Sequence, residues 1–170
     1  MNINDLEGLD LSNITLEDLK NLIKSKELVS NNDYDILIST DGASRFNNFG
    51  CGTFAIWKDN KPLLVETKFY GTITNNLSEM ITIKNSIIFL LLSEHNTKQN
   101  TIKLISDSEL CVNLINRKYN GKNLDLVLEL EKINKLIKEL NCNLIIEHKP
   151  RETREISFCD KLNNFFLDKS

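Results

Sequence analysis

The stretch Ile36-Leu37-Ile38-Ser39-Thr40-Asp41-Gly42-Ala43 constrains this chain more than any other. An apolar, β-branched run reads as a buried strand, and it leads straight into an aspartate and a glycine. A carboxylate delivered by a buried strand is strongly unfavourable unless cationic or hydrogen-bonding groups meet it there. The alternative is a tight hairpin turn at Asp41-Gly42. The mostly polar and small residues that continue to Gly50 fit a two-residue hairpin poorly.

The chain has 170 residues, enough for one domain with a sizeable core. Residues 1–33 read as an appendage: Thr15 to Lys26 is an amphipathic helix, with Thr15 as cap and Leu16, Leu19, Leu22 and Ile23 on one face. It is a packing helix by default and a protein-binding helix as the alternative. The domain proper spans 34–170. Strands are expected over Tyr34–Thr40, Gly52–Trp57 and Leu63–Tyr70, the last two joined by the turn Lys58–Pro62. A helix over Leu77–Glu94 follows, with Met80, Ile81, Ile83, Ile87, Ile88 and Leu91 buried. Then come a strand over Thr101–Ser106, helices over Ser108–Lys118 and Leu124–Leu140, a strand over Leu144–Glu147 and a helix over Ile156–Leu167. The order predicts an α/β (α+β) mixed sheet of five strands, 3-2-1-4-5, in which an antiparallel meander is extended by parallel strands and flanked by helices.

Four acidic residues stand at informative places in that plan. Asp41 ends the first strand and Asp107 the fourth, so parallel neighbours would put both at one sheet edge. Glu79 falls in the first turn of the long helix, and Asp160 on the closing helix can pack beside them. Each has a plainer role: Asn76 with Glu79 as a helix start, Asp107-Ser108 as a cap, Asp160 as an exposed carboxylate. Together they would repel one another unless a cation neutralised them. An oxygen-only donor set suits Mg²⁺ or Mn²⁺. Two such ions about 3.5–4 Å apart activate water and stabilise the leaving oxygen of a phosphodiester.

In these residues the chain resembles the ribonuclease H type 1 family of the ribonuclease H-like superfamily. The resemblance is carried by Thr40-Asp41-Gly42-Ala43, Thr74-Asn75-Asn76-Leu77-Ser78-Glu79, Ser106-Asp107-Ser108 and Cys159-Asp160-Lys161-Leu162, in order, from about Tyr34 to the C-terminus. It implies the ribonuclease H-like fold and two-metal endonucleolytic hydrolysis of the RNA strand in RNA/DNA hybrids. It further implies Asp41, Glu79, Asp107 and Asp160 as catalytic metal ligands, with Mg²⁺ or Mn²⁺ as cofactor. Gly42, Thr74, Asn75, Asn76, Ser108 and Arg154 would contact substrate. Thr74 and Asn75 would lie near a DNA-strand phosphate and Asn76 in the minor groove, where an amide near a 2′-hydroxyl helps tell RNA from DNA. Other nucleases of the superfamily, such as a junction resolvase or 3′-exonuclease, are the nearest rivals. A non-catalytic binding module of this fold is the more distant one.

The chain departs from the family pattern before its last aspartate. Many members have a histidine in that loop, whereas Lys149–Glu155 contains none. Arg154, Arg151 or the preceding His148 are the candidates to replace it. The connection around Tyr119–Asn123 is too short for the basic protrusion of some members, and Glu109 is acidic where a neutral amide would suit a base edge. A net charge of −3 argues mildly against gripping nucleic acid by charge alone, so a nucleic-acid site is expected to be a local patch, with Lys118, Lys122 and the N-terminus as sources of affinity. The four cysteines form no C-x-x-C pair and read as reduced, buried thiols. No apolar run spans a membrane and no signal peptide is visible, which predicts a cytoplasmic or nuclear protein.

Overall fold

Alternation with period 2 places Ile36, Ile38, Thr40 and Gly42 on one face of the first strand, and Leu37, Ser39, Asp41 and Ala43 on the other. In the computed structural model, which describes residues 33–45 and 49–168, both faces of this strand are covered. The strands are β1 (Ile36–Arg45), β2 (Phe49–Lys58), β3 (Lys61–Gly71), β4 (Thr101–Ser106) and β5 (Asn143–His148). The helices are α1 (Asn75–Leu92) after β3, α2 (Glu109–Ile115) and α3 (Leu124–Glu139) after β4, and α4 (Arg154–Leu167) after β5. The sheet order is β3-β2-β1-β4-β5, as the sequence predicts. β1, β2 and β3 form the antiparallel meander, and β4 and β5 add in parallel. The expected helix over Thr15–Lys26 lies outside the described residues.

On one face Ile36, Ile38, Phe54, Ile102 and Leu104 pack under α1, α2 and α3. On the other, Leu37, Ala55, Trp57 and Ile105 pack under Ile156 and Cys159 of α4. All four cysteines are free and buried, as expected. Among the described residues, no helix is long and apolar enough to cross a membrane.

Two local expectations change. The β2–β3 turn is a two-residue loop, with Asp59 at φ 50° and Asn60 at φ 61°, a conformation that Asp and Asn tolerate and that suits the twist of a hairpin. The buried face of α1 carries Met80, Ile83, Ile87 and Leu90, but also Ser78, Thr82 and Ser86, in place of Ile81, Ile88 and Leu91. The three hydroxyls are satisfied within the helix, on Asn75 O at 2.7 Å, Ser78 O at 2.7 Å and Ile83 O at 2.8 Å, which makes their burial tolerable.

Small residues are needed there because α1 sits very close to the sheet. Gly42 and Gly52 are register partners across β1 and β2. A Cβ on Gly42 would lie 2.4 Å from the Glu79 backbone nitrogen, and one on Gly52 would lie 1.8 Å from Thr82 Oγ1. The glycine pair is the seat on which the first turns of α1 rest. Gly42→Ala should therefore push α1 off the sheet, at a cost of about 1–3 kcal/mol. Urea denaturation should show a lower midpoint with an unchanged slope; an unchanged midpoint would mean the helix has room to yield.

Candidate metal centre

Parallel pairing of β1 with β4 runs from Ile36↔Ile102 to Thr40↔Ser106 and then stops, because β4 ends. β1 does not stop there. It continues to Arg45, paired only with β2, so Asp41 lies within the strand and not at its end, and Asp41-Gly42 is no turn. Asp41 and Asp107 are thus the first residues of β1 and of the β4 exit beyond the shared ladder. From the other face, the seat at Gly42 holds Glu79 in the first turns of α1. Ligand oxygens of Asp41, Glu79 and Asp107 all lie within 4.8 Å of one another.

Asp160 stands beside this trio but outside that grouping. Its Oδ1 is taken by an ion pair with Arg151 and by the Asn164 side-chain amide at 3.0 Å. Arg151, from the loop before α4, is therefore the arginine that reaches the carboxylates. Arg154 does not: its guanidinium stacks 6.0 Å from the Trp57 ring centroid and donates to Asn60 O at 3.3 Å. His148 is exposed at the end of β5, opposite Ser106 in register.

The remaining residues singled out from the sequence gather around the start of α1 and α2. Thr74, and not Asn76, caps α1, its hydroxyl accepting from Leu77 N at 3.3 Å. Asn75 accepts from Ser44 N at 3.1 Å and so ties the helix start to β1, while Asn76 is exposed in the first turn. Thr74 and Asn76 line a cleft of about 400 Å³ with Leu110, Lys122 and Asn123 among its other walls. Ser108 caps α2 by accepting from Cys111 N at 3.4 Å.

Asn163 was not singled out by its sequence context, yet it is fully buried against Asp41. Its amide nitrogen donates to Asp41 Oδ2 at 2.6 Å and to Asp41 O at 2.9 Å. The one available signal is its spacing three residues after Asp160, which puts both on one side of α4.

Electrostatics shows what kind of group the cluster would accept. Burial, then the neighbouring Asp107 charge, push the Asp41 acid up to about 7, against the opposing hydrogen bond from Asn163. Glu79 is held well above the usual carboxylate range, first by burial and then by Asp41 and Asp107, and Asp107 is raised chiefly by burial. Glu79 Oε2 and Asp107 Oδ1 are buried without a hydrogen-bond partner. Two buried acceptor oxygens with no donor, in a group of three carboxylates with no nitrogen or sulfur, fit a hard divalent cation such as Mg²⁺ or Mn²⁺.

These shifts fix the sign of a pH dependence. Unfolded carboxylates titrate near 4, whereas folded Asp41 titrates at about 7 and Glu79 well above its ordinary range. Between about pH 4 and pH 7 the folded chain holds more protons than the unfolded one, so stability falls as pH rises. Thermal melts in chelator should show the melting temperature declining across that window, with Asp41→Asn removing part of the decline. A flat wild-type profile would contradict the crowding of the three acids.

Comparison with solved structures places the fold. The crystal structure of a ribonuclease H1 from the halophilic archaeon Halobacterium salinarum NRC-1 aligns with a TM-score of 0.70 at 22% identity, over 79% of this chain and 98% of that one. LC11 ribonuclease H1 in complex with an RNA/DNA hybrid aligns with a TM-score of 0.71 at 26% identity, over 79% of this chain and 97% of its own. The N-terminal ribonuclease H domain of a Mycobacterium tuberculosis protein aligns with a TM-score of 0.70 at 20% identity, over 81% and 96%. No protein-family model matches the sequence, and comparison with curated proteins gives no match.

Proposed function

We propose that this chain, which has the ribonuclease H fold, is a metal-dependent endonuclease that hydrolyses the RNA strand of RNA/DNA hybrids. The observation that carries the reading is the convergence of Asp41, Glu79 and Asp107, with two buried oxygens lacking donors, at the edge where β4 ends. It is supported by the similarity to a ribonuclease H1 that is bound to such a hybrid.

In this reading Asp41, Glu79 and Asp107 hold Mg²⁺ or Mn²⁺, and Asp160 joins them as the fourth catalytic ligand. When bound, two ions supply the charge that activates a water and offsets the charge developing on the leaving oxygen. The protein's own part is placement. Gly42 and Gly52 fix the depth of Glu79, and the end of the β1–β4 ladder fixes Asp41 beside Asp107. The cleft at the start of α1 offers a helix N-terminus together with Lys122, a combination suited to a backbone phosphate of the DNA strand. Thr74 and Asn76 line it with Asn75 between them in sequence, and in this reading Thr74 and Asn75 lie near that phosphate while the exposed Asn76 reaches the minor groove. Ser108 contributes by holding the start of α2 behind Asp107. Of the candidates Arg154, Arg151 and His148, Arg151 is favoured in this reading by its ion pair with Asp160.

The test is cleavage of labelled RNA/DNA hybrid, double-stranded RNA, double-stranded DNA and a four-way junction, each with Mg²⁺, Mn²⁺ or chelator. Hybrid-specific, metal-dependent cuts within the RNA strand are expected. Asp41→Asn should cleave hardly at all while gaining stability in chelator. Asn76→Ala should lower hybrid cleavage about 3- to 10-fold, the worth of one lost hydrogen bond of about 0.5–1.5 kcal/mol. Cleavage of the junction alone would favour a resolvase, and binding without cleavage a non-catalytic module.

A further inference from the structure

We infer that Asn163 is a positioning residue for divalent-cation binding at Asp41, and that Thr53 acts on the same site through Asn163. The inference rests on the metal-centre reading above and assigns the groups that aim one of its ligands.

A primary amide has two donor hydrogens and one acceptor oxygen, and here every one of them is committed. Both N–H groups of Asn163 point at Asp41, one to Oδ2 at 2.6 Å and one to the backbone carbonyl at 2.9 Å. Its Oδ1 accepts from the Thr53 hydroxyl at 2.7 Å and from the Cys51 thiol at 3.4 Å. Flipping the amide would set its oxygen against two acceptors of Asp41, so a single orientation is possible. Because the Thr53 proton goes to Asn163, the 2.8 Å contact of Thr53 with Thr67 is donated by Thr67. A one-way series of donors therefore runs from β3 through β2 and α4 to β1 and ends on the Asp41 carboxylate.

This series does two things. It ties back Oδ2 of Asp41, which leaves the other oxygen to a cation and stops the carboxylate rotating. It also locks α4 to β1 at a point three residues from Asp160, fixing the acid next in line to join the site. Asn163 is 0% exposed, so no water can replace its hydrogen bonds.

The experiment is Mn²⁺ titration by calorimetry on the full chain without substrate, beside thermal melts in chelator. Asn163→Ala should weaken Mn²⁺ binding about tenfold, as expected for loss of a hydrogen bond to a charged group. Thr53→Val keeps shape but loses the hydroxyl, and should weaken binding about threefold; Thr53→Ser keeps the hydroxyl and should bind as wild type does. The double variant Asn163→Ala with Thr53→Val should bind no more weakly than Asn163→Ala alone, because Thr53 has no other route to the site. A purely structural role would lower the melting temperature and leave the affinity of the folded protein unchanged, which would overturn the inference. If Asn163→Ala does not fold, the Thr53 pair decides alone. If wild type takes up no Mn²⁺, the metal-centre reading itself fails; if wild type binds and all variants bind equally, only the inference does.

Discussion

Desolvation of carboxylates crowded together is the constraint on which the rest of this structure depends. Desolvation raises Asp41, Glu79 and Asp107 above their ordinary range, and the charge of neighbouring trio members adds to it on Asp41 and Glu79. A fold that gathers such groups gives up stability of its own and must hold them in place by surrounding structure. The sheet and both helical layers supply that hold: the glycine seat under α1, the strand ladder that ends at Thr40↔Ser106, and the amide on α4.

The two layers do different work. On one face, apolar packing under α1 and α3 is extensive, and the buried Glu129 clasps Lys84 of α1 and Lys132 of α3. This side fixes Glu79 by bulk and by backbone contact. On the other face the core is small, centred on Trp57, Ile105, Ile156 and Cys159, and directional bonds take over. Trp57 donates to Ser39 Oγ at 2.8 Å, Ser39 Oγ lies 3.3 Å from Cys159 Sγ, and Asn163 follows one turn later. Directional bonds specify a register that a small apolar contact would leave loose. That register is what brings Asp160 alongside the trio.

Charge placement follows the same logic at a larger scale. The chain is acidic overall, yet Arg151 stands at the mouth of the carboxylates and Lys122 at the cleft beside α1. Under the proposed function these cations stand where backbone phosphates would arrive, and short-range placement matters more than net charge once salt screens the distant field.

Much of this was legible in the sequence because it rests on local rules. Period-2 and period-3.6 patterns fixed the element order, and an antiparallel meander followed by crossover helices leaves few sheet orders to choose from. Asp41, Glu79 and Asp107 were readable as a group because each is set by its distance from an element boundary. Where the sequence misled or left alternatives open, the deciding partner was remote in the chain. Ile81, Ile88 and Leu91 look like core by hydrophobicity, but Gly52, some thirty residues away, makes Thr82 the residue that fits. Arg151 and Arg154 are open alternatives in the sequence, and only the contact with Trp57 draws one away while the pairing with Asp160 takes the other. Asn163 looks like any polar helical residue until α4 docks and surrounds it with Asp41, Thr53 and Cys51. The sequence by itself determined which acids stand at element boundaries; the tertiary structure alone decided which oxygens meet and which groups aim them, because hydrogen-bond geometry between distant segments exists only after the layers pack.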